Sequence, residues 1–487
     1  MTDNDAREVL VRTTTGVVRG ARGDGISRFL GIPFAAPPFG ANRFDAPQPV
    51  EPWDGVRDTL EAGPGAPQLL DPDDPLDNYF NPSTIGEDCL TLNVWSPEPG
   101  SAGLPVMVWI HGGGYVSGGS TAPAYDGSTF ARDGVVYVSI NYRLGIDGFA
   151  HFDGTTDNRG LRDQIAGLTW VRDNVAAFGG NPDDVTVFGE SGGAVSVLTL
   201  MAMPAARGLF RRAIAESGSP RADASPDHAH AVMARTAELL GIEPTVDAFA
   251  ALSLQETIAG VMPISRDWLD TARWGAHTFT ISPFRAVTGT ESLPDPVFAS
   301  ATRSTVPLLV GTVRNETISF VSALGLDTDA AVDRLADLLG ADDSVIDAYR
   351  RGRRLTTSVA LAEALWTDWA FRMPVLSLAE ARRSASTFVS ELHWETPLLP
   401  AGLGAGHGLD VPFVFDDLAT ARLLVGDDGP SGLAVNMHRA WVDFAKTGDP
   451  GWPEYTTDNR ATKIFDTTSS VVSDLAAPER QAWAGRR

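Results

Sequence analysis

Cysteine is almost missing from this chain. Cys89 stands alone among 487 residues, so no intrachain disulfide can form and a reducing cytosol is the simplest home. A lone cysteine invites comparison with a catalytic thiol, but Cys89 precedes Leu90-Thr91-Leu92-Asn93-Val94-Trp95, an alternating run that reads as a strand. A buried structural residue is the expectation there. Basic residues are also in deficit: Lys and Arg total 38 against 62 Asp and Glu, for a net charge of −24. A field of that sign repels phosphate backbones and anionic lipid surfaces, so neither nucleic acid nor membrane is expected as a partner. Long apolar runs are lacking too, none approaching the roughly 18 residues that cross a bilayer. Met1–Gly20 has neither the basic start nor the apolar stretch of a signal peptide. These absences predict a soluble, cytoplasmic protein; they leave its oligomeric state open.

What is present suits a large packed core: 43% hydrophobic residues, with 12 Trp and 22 Phe. Short apolar runs of the kind found in buried parallel strands recur at Pro105–Ile110, Val135–Ile140, Val185–Phe188, Arg212–Ala215, Val306–Val310 and Thr387–Leu392. Helical patterns lie between them. In the clearest, Leu161, Ile165, Leu168, Val171, Val175 and Phe178 recur every three or four residues on one helix face. Alternation of strand and helix predicts an α/β fold, a mostly parallel sheet flanked by helices with ligands at the carboxyl ends of its strands. Two Ala- and Leu-rich stretches, about 227–261 and 329–383, read as helical additions to it. No repeat or flexible linker divides the chain, although a length prior of roughly 150 residues per domain would split it in about three. The Pro- and Asp-rich Pro64–Pro82 is the nearest thing to a long loop.

The chemistry gathers on a few motifs. Val185-Thr186-Val187-Phe188-Gly189-Glu190-Ser191-Gly192-Gly193-Ala194 is a β-run, then G-x-S-x-G, then a helix-compatible stretch. That context is what a nucleophile elbow demands, because the strained strand-to-helix turn needs glycines where the backbone folds back. Ser191 is therefore the candidate nucleophile, with the amide of Gly192 at the helix start as one oxyanion donor. A second set of donors follows the Pro105–Ile110 strand in His111-Gly112-Gly113-Gly114-Tyr115, where the amides of Gly113 and Gly114 can point at one oxygen. A phosphate-binding loop is the rival reading. No Gly-Lys-Ser/Thr follows, and Gly402–Gly408 lacks G-x-G-x-x-G spacing, so nucleotide binding is not expected.

The base must follow the nucleophile and the acid in this fold. That order leaves His393, His407 and His438. His393 lies in a strand-like run and His438 inside a helix, Leu433–Lys446, whose buried face is Leu433, Met437, Trp441 and Phe444. His407 sits in a Gly-rich loop after the last strand, where its ring can reach across the strand ends. For the acid, Glu316 follows the run Val306–Val310 on a loop and could fix the tautomer of His407. Glu190, beside the nucleophile, is a possible modulator of the site or a member of a buried network.

With these motifs in hand, the chain resembles the type-B carboxylesterases, the family of para-nitrobenzyl esterases, liver carboxylesterases and cholinesterases. The resemblance runs from Phe29-Leu30-Gly31-Ile32-Pro33-Phe34 through Glu87-Asp88-Cys89-Leu90, Asn141-Tyr142-Arg143-Leu144-Gly145, Gly160-Leu161-Arg162-Asp163-Gln164 and Phe178-Gly179-Gly180-Asn181-Pro182. It continues to His407-Gly408-Leu409-Asp410 and Trp441-Val442-Asp443-Phe444-Ala445-Lys446-Thr447-Gly448-Asp449-Pro450. It implies an α/β-hydrolase fold that makes residues 1–487 one catalytic domain, carboxylic ester hydrolysis by Ser191, Glu316 and His407, and an oxyanion hole of Gly113, Gly114 and Gly192. No metal or organic cofactor is implied.

Three departures stand out. Gly192 replaces the family's usual alanine, Asn315-Glu316-Thr317 replaces Asp-Glu-Gly, and Cys89 has no cysteine partner near Ala66. An amide or carbamate hydrolase would use the same machinery. A non-catalytic relative such as the neuroligins lacks the serine, which Ser191 argues against. On the alcohol side, cholinesterases place a Trp in the loop before Glu-Asp-Cys-Leu, whereas Ala66–Gly86 offers only Tyr79 and Phe80. Short neutral esters are therefore expected to be better substrates than choline esters.

Overall fold

Runs that are apolar at every position can bury both faces only in a sheet covered on each side. The computed structural model describes residues 7–101, 103–280, 282–399 and 404–486, so part of the Gly402–Gly408 stretch lies outside the described residues. Among the described residues lies one thirteen-stranded sheet. Its strands are β1 (Arg7–Arg12), β2 (Val17–Gly23), β3 (Ile26–Pro33), β4 (Val56–Asp58), β5 (Thr91–Ser96), β6 (Leu104–Ile110) and β7 (Val136–Ile140). They continue with β8 (Gly180–Glu190), β9 (Arg212–Glu216), β10 (Leu308–Val313), β11 (Thr387–Leu392), β12 (Ala461–Phe465) and β13 (Ser470–Ser473). The spatial order is β1-β2-β3-β5-β7-β6-β8-β9-β10-β11-β12-β13, with β4 beside β2. Every pairing from β7 to β12 is parallel, while β1, β2, β3 and β5 at one side and β13 at the other pair antiparallel.

Alternation along each strand divides the core into two layers. Val106, Val108 and Ile110 of β6 and Val136, Val138 and Ile140 of β7 pack on one side. Met107, Trp109 and Tyr137 pack on the other. Trp109 has its ring centroid within about 5.0 Å of those of Tyr125, Phe188 and Phe415, and truncating so buried a ring costs about 3–5 kcal/mol. Cys89 is fully buried beside this sheet, and burial pushes its thiol far above the reactive range.

The expected strands are all present, with shifted ends. β8 starts at Gly180 rather than Val185, because Leu104 pairs with Gly180 across an irregularity in the ladder. β10 starts at Leu308 rather than Val306, after Pro307, which has no N–H to donate; the Pro307 carbonyl accepts from the Ala213 amide instead. His393 falls one residue past β11. The half-exposed edge strands such as β1 carry no continuous apolar run and escape that criterion.

The predicted helix occupies Arg159–Asn174 and tightens to a 3₁₀ turn at Val175–Phe178. It is tied to the loop after β7 by a buried two-pronged ion pair, Arg143 Nη2 to Asp163 Oδ1 at 2.7 Å and Nε to Oδ2 at 2.8 Å. Both helical stretches are helical. The first holds Pro226–Leu240, Val246–Ala250 and Leu254–Asp267; the second holds Asp329–Leu339, Asp343–Gly352, Ser358–Thr367 and Met373–Ala381. Ser225, Thr245, Ser253, Thr328, Asp342 and Thr357 cap their N-termini by accepting first-turn amides. Among the described residues no helix is long and apolar enough to cross a membrane.

Candidate active site

β8 carries Glu190 and Ser191 to its carboxyl end, where the chain must turn at once into the helix Gly192–Leu200. Ser191 makes the turn at φ 55°, ψ −121°, a conformation that costs a non-glycine residue about 1–3 kcal/mol. The surroundings hold it there: the Ser191 amide donates to the Glu216 carbonyl at 2.8 Å, and the Ser191 carbonyl accepts from the Val195 amide at 2.9 Å. The flanking glycines permit the close approach. A β-carbon on Gly189 would lie 2.6 Å from the Ile110 carbonyl oxygen, and one on Gly193 only 2.0 Å from it.

His407 and Glu316 reach the serine from neighbouring loops. The chain beyond β10 pairs through Asn315 with Gly406, and the Asn315 amide donates to the Ala405 carbonyl at 2.9 Å. That backbone bridge brings together two side chains far apart in sequence. His407 Nδ1 lies 2.6 Å from Glu316 Oε2, and Nε2 lies 2.8 Å from Ser191 Oγ. Glu316 is fully buried, and its other oxygen accepts from the Val313 amide at 3.0 Å. A carboxylate only accepts, so Nδ1 carries a ring proton, and in the neutral imidazole Nε2 faces the serine hydroxyl as an acceptor.

Asn315 and Thr317 account for the departure around Glu316. Asn315 Nδ2 donates to Glu363 Oε2 at 3.1 Å, and the Thr317 amide donates to Thr367 Oγ1 at 3.2 Å. Glu363 and Thr367 belong to the helix Ser358–Thr367, so a helical addition anchors the loop that carries Glu316.

On the opposite side, Gly113 and Gly114 turn at φ 103° and 58°. The Gly113 carbonyl accepts from the amides of Val116 and Ser117, both at 3.0 Å, which closes a tight loop over the serine's helix. A β-carbon on Gly192 would stand 3.0 Å from the Gly114 nitrogen, so the two glycine backbones face each other closely. The Pro64–Pro82 stretch braces this loop, with Gln68 Nε2 donating to the Gly118 carbonyl and its Oε1 accepting from the Gly118 amide, at 2.7 and 2.8 Å. The same stretch forms the short helix Pro75–Phe80. Tyr79 is buried, and the ring of Phe80 lies against Gly408, next to His407. His111 is buried and its pKa is lowered to about 4 by that burial, which keeps it neutral.

The surroundings of His407 are rich in buried acid. Glu190 Oε1 stands 3.3 Å from His407 Nε2 and makes no hydrogen bond. Burial pushes its pKa up to about 8 against the pull of His407. Asp410 is raised to about 7, by burial and then by Glu316. Glu216, which accepts from Trp441 Nε1 at 2.9 Å, is held well above the carboxylate range by burial and then by Asp410. Burial pulls His407 down, but Glu190, Glu316 and Asp410 together outweigh it and raise the imidazole to about 9. Burial and mutual repulsion thus disfavour ionising all of these carboxyls together. The sequence reading reached Glu190 but not Glu216, Glu363 or Phe371, whose ring centroid is 5.5 Å from that of His407. The one signal for Glu216 was its place at the end of an apolar strand.

Comparison with known proteins agrees with this fold. The model of the carboxylesterase family matches residues 7–483. The para-nitrobenzyl esterase of Bacillus subtilis is 36% identical over 97% of this chain and 98% of its own. The acetylcholinesterase of Bungarus fasciatus is 32% identical over 93% of this chain and 82% of its own. Among solved structures, a carboxylesterase of Geobacillus stearothermophilus superposes with a TM-score of 0.84 at 32% identity, over 97% of this chain and 99% of that one. The chain belongs to the carboxylesterase family, with the α/β-hydrolase fold. It is a serine carboxylesterase, acting on small-molecule esters.

Proposed function

We propose that Ser191 is the nucleophile of this ester hydrolase, His407 its general base and Glu316 the acid that orients and charges the base. His407 Nε2 takes the proton from Ser191 Oγ as the oxygen attacks the ester carbonyl. The amides of Gly113, Gly114 and Gly192 hold the resulting oxyanion, each such donor contributing roughly 3–4 kcal/mol to the transition state. The imidazolium then protonates the departing alcohol. Water, deprotonated by the same nitrogen, attacks the acyl-serine and releases the acid. The reaction so written draws on no metal or organic cofactor. The observation that carries the reading is the line Ser191 Oγ–His407–Glu316, with contacts of 2.8 and 2.6 Å. Ser191→Ala is expected to abolish the acylation burst and ester turnover. An organophosphate should label Ser191 by mass spectrometry; a variant keeping more than a few per cent of turnover overturns the assignment.

The whole chain is read as one catalytic domain, because the helix Ser358–Thr367 outside the sheet holds the loop of Glu316. The lone Cys89 supports a cytosolic location. For the alcohol, the aromatic faces beside His407 among the described residues are those of Phe80 and Phe371, with no Trp among them. Phe holds a cation less well than Trp. Neutral aryl and alkyl esters should therefore exceed choline esters in kcat/KM, as a comparison of p-nitrophenyl butyrate with butyrylcholine at 0.15 M salt will test.

A further inference from the structure

Away from the catalytic centre, the loop after the helix Gly145–Phe149 meets the first helical addition through a cluster of metal-ligating side chains. His151 and Asp153 come from the loop, and His230 from the helix Pro226–Leu240. One ligand atom of each lies within 4.8 Å of those of the other two. The His151 and His230 rings lie 4.5 Å apart between centroids. His230 Nε2 stands 3.2 Å from Asp153 Oδ1 yet is enclosed and makes no hydrogen bond. His151 is already oriented, its Nδ1 lying 2.5 Å from Asp157 Oδ1, which leaves Nε2 as the ring atom for an ion.

From this geometry we infer a site for a first-row transition-metal dication of the Zn2+ type, ligated by His151, His230 and Asp153. Two imidazole nitrogens and one carboxylate oxygen suit such ions and are a poor set for Ca2+ or Mg2+, which prefer all-oxygen cages. A carboxylate on the far nitrogen of a ligating histidine is the usual outer support of such a site, and Asp157 supplies it. Ligands bonded at about 2.0–2.1 Å to a tetrahedral ion stand roughly 3.4 Å apart. Atoms within 4.8 Å of one another therefore close by up to about 1.4 Å, and because His230 and Asp153 already stand 3.2 Å apart, that movement lies between this pair and His151. The fourth position is left to water. The ion would pin the helix Pro226–Leu240 to the loop leading into the helix Arg159–Asn174, joining a helical addition to the body of the protein. Neither catalysis nor its residues are involved. No sequence signal announces the site, since His151 and His230 are distant in the chain and share no spaced motif.

The test uses the full-length enzyme, stripped with EDTA and titrated with Zn2+, and with Co2+ for its ligand-field absorption. One Zn2+ per chain should bind, with a rise in thermal midpoint and a Co2+ band typical of low coordination number. His230→Ala should weaken binding by at least about tenfold and remove the rise, and Asp157→Asn should weaken it by about tenfold through the lost support. Ester turnover in EDTA should match wild type in both variants, which shows that they fold. The negative surface could attract cations without a site, so binding of equal strength in His230→Ala and wild type would overturn the inference. So would an absence of stoichiometric binding at about 0.1 mM Zn2+.

Discussion

The two helical additions look alike in sequence, both Ala- and Leu-rich with capped starts, yet they relate differently to the reacting groups. Glu363 and Thr367 of the second hold Asn315 and Thr317 on either side of Glu316. Among the described residues no hydrogen bond of the first reaches Ser191, Glu316 or His407. Its buried residues, such as Met233 and Ile264, join the hydrophobic core instead. The difference teaches that helical periodicity reports only which face is buried. Whether a helix serves the chemistry depends on where its few polar side chains end.

The reference point for that comparison is Glu316→Gln, which is expected to lower kcat by about 10³–10⁴-fold, because the imidazole loses both its charge partner and its tautomer. Steady-state kinetics will check it, and a loss under about tenfold would give the role to another carboxylate. A smaller effect separates the two additions directly. Glu363→Ala removes the acceptor of Asn315 and Thr367 and frees the acid's loop, and a misplacement of about 1 Å costs up to about 10²-fold in kcat with KM little changed. Met233→Ala in the first addition opens a cavity costing about 2–5 kcal/mol while leaving the kcat of the folded enzyme as it is. Paired kcat and thermal-midpoint measurements decide the matter: equal kcat losses in the two variants would break the comparison.

The smallest effect concerns pH. Glu190 raises His407, and the imidazole must be neutral to act as base, so activity rises as pH climbs through the pKa of the His407 site. Glu190→Gln removes a negative charge 3.3 Å from Nε2. The imidazolium then gives up its proton more easily, and the acid limb of the kcat/KM profile should move to lower pH. A limb that stays in place would make Glu190 a packing residue only.

Much of this was legible before any coordinates. The strand runs were readable because a parallel strand buried on both faces must be apolar throughout. Ser191 was readable because its turn tolerates only glycine at Gly189 and Gly193, where the neighbouring carbonyl of Ile110 leaves no space. His407 and Glu316 were reached by order along the chain and by exclusion. The half-exposed edge strands and the exact ends of β8 and β10 were not readable, since partner strands and a proline's missing donor set them.

The sequence by itself determined the candidates for the covalent chemistry: which serine, which histidine, which glutamate, and the glycines that let the backbone approach them. Those choices are local, written in turn geometry and residue type within a few positions. Only the tertiary structure decided that Glu363 would anchor the acid's loop and that Glu190, Glu216 and Asp410 would share one buried acidic cluster. Only it brought His151 and His230 to one point. The reason is that hydrogen bonding, desolvation and charge coupling act over a few ångströms of space, and the fold alone determines which distant residues come within that range.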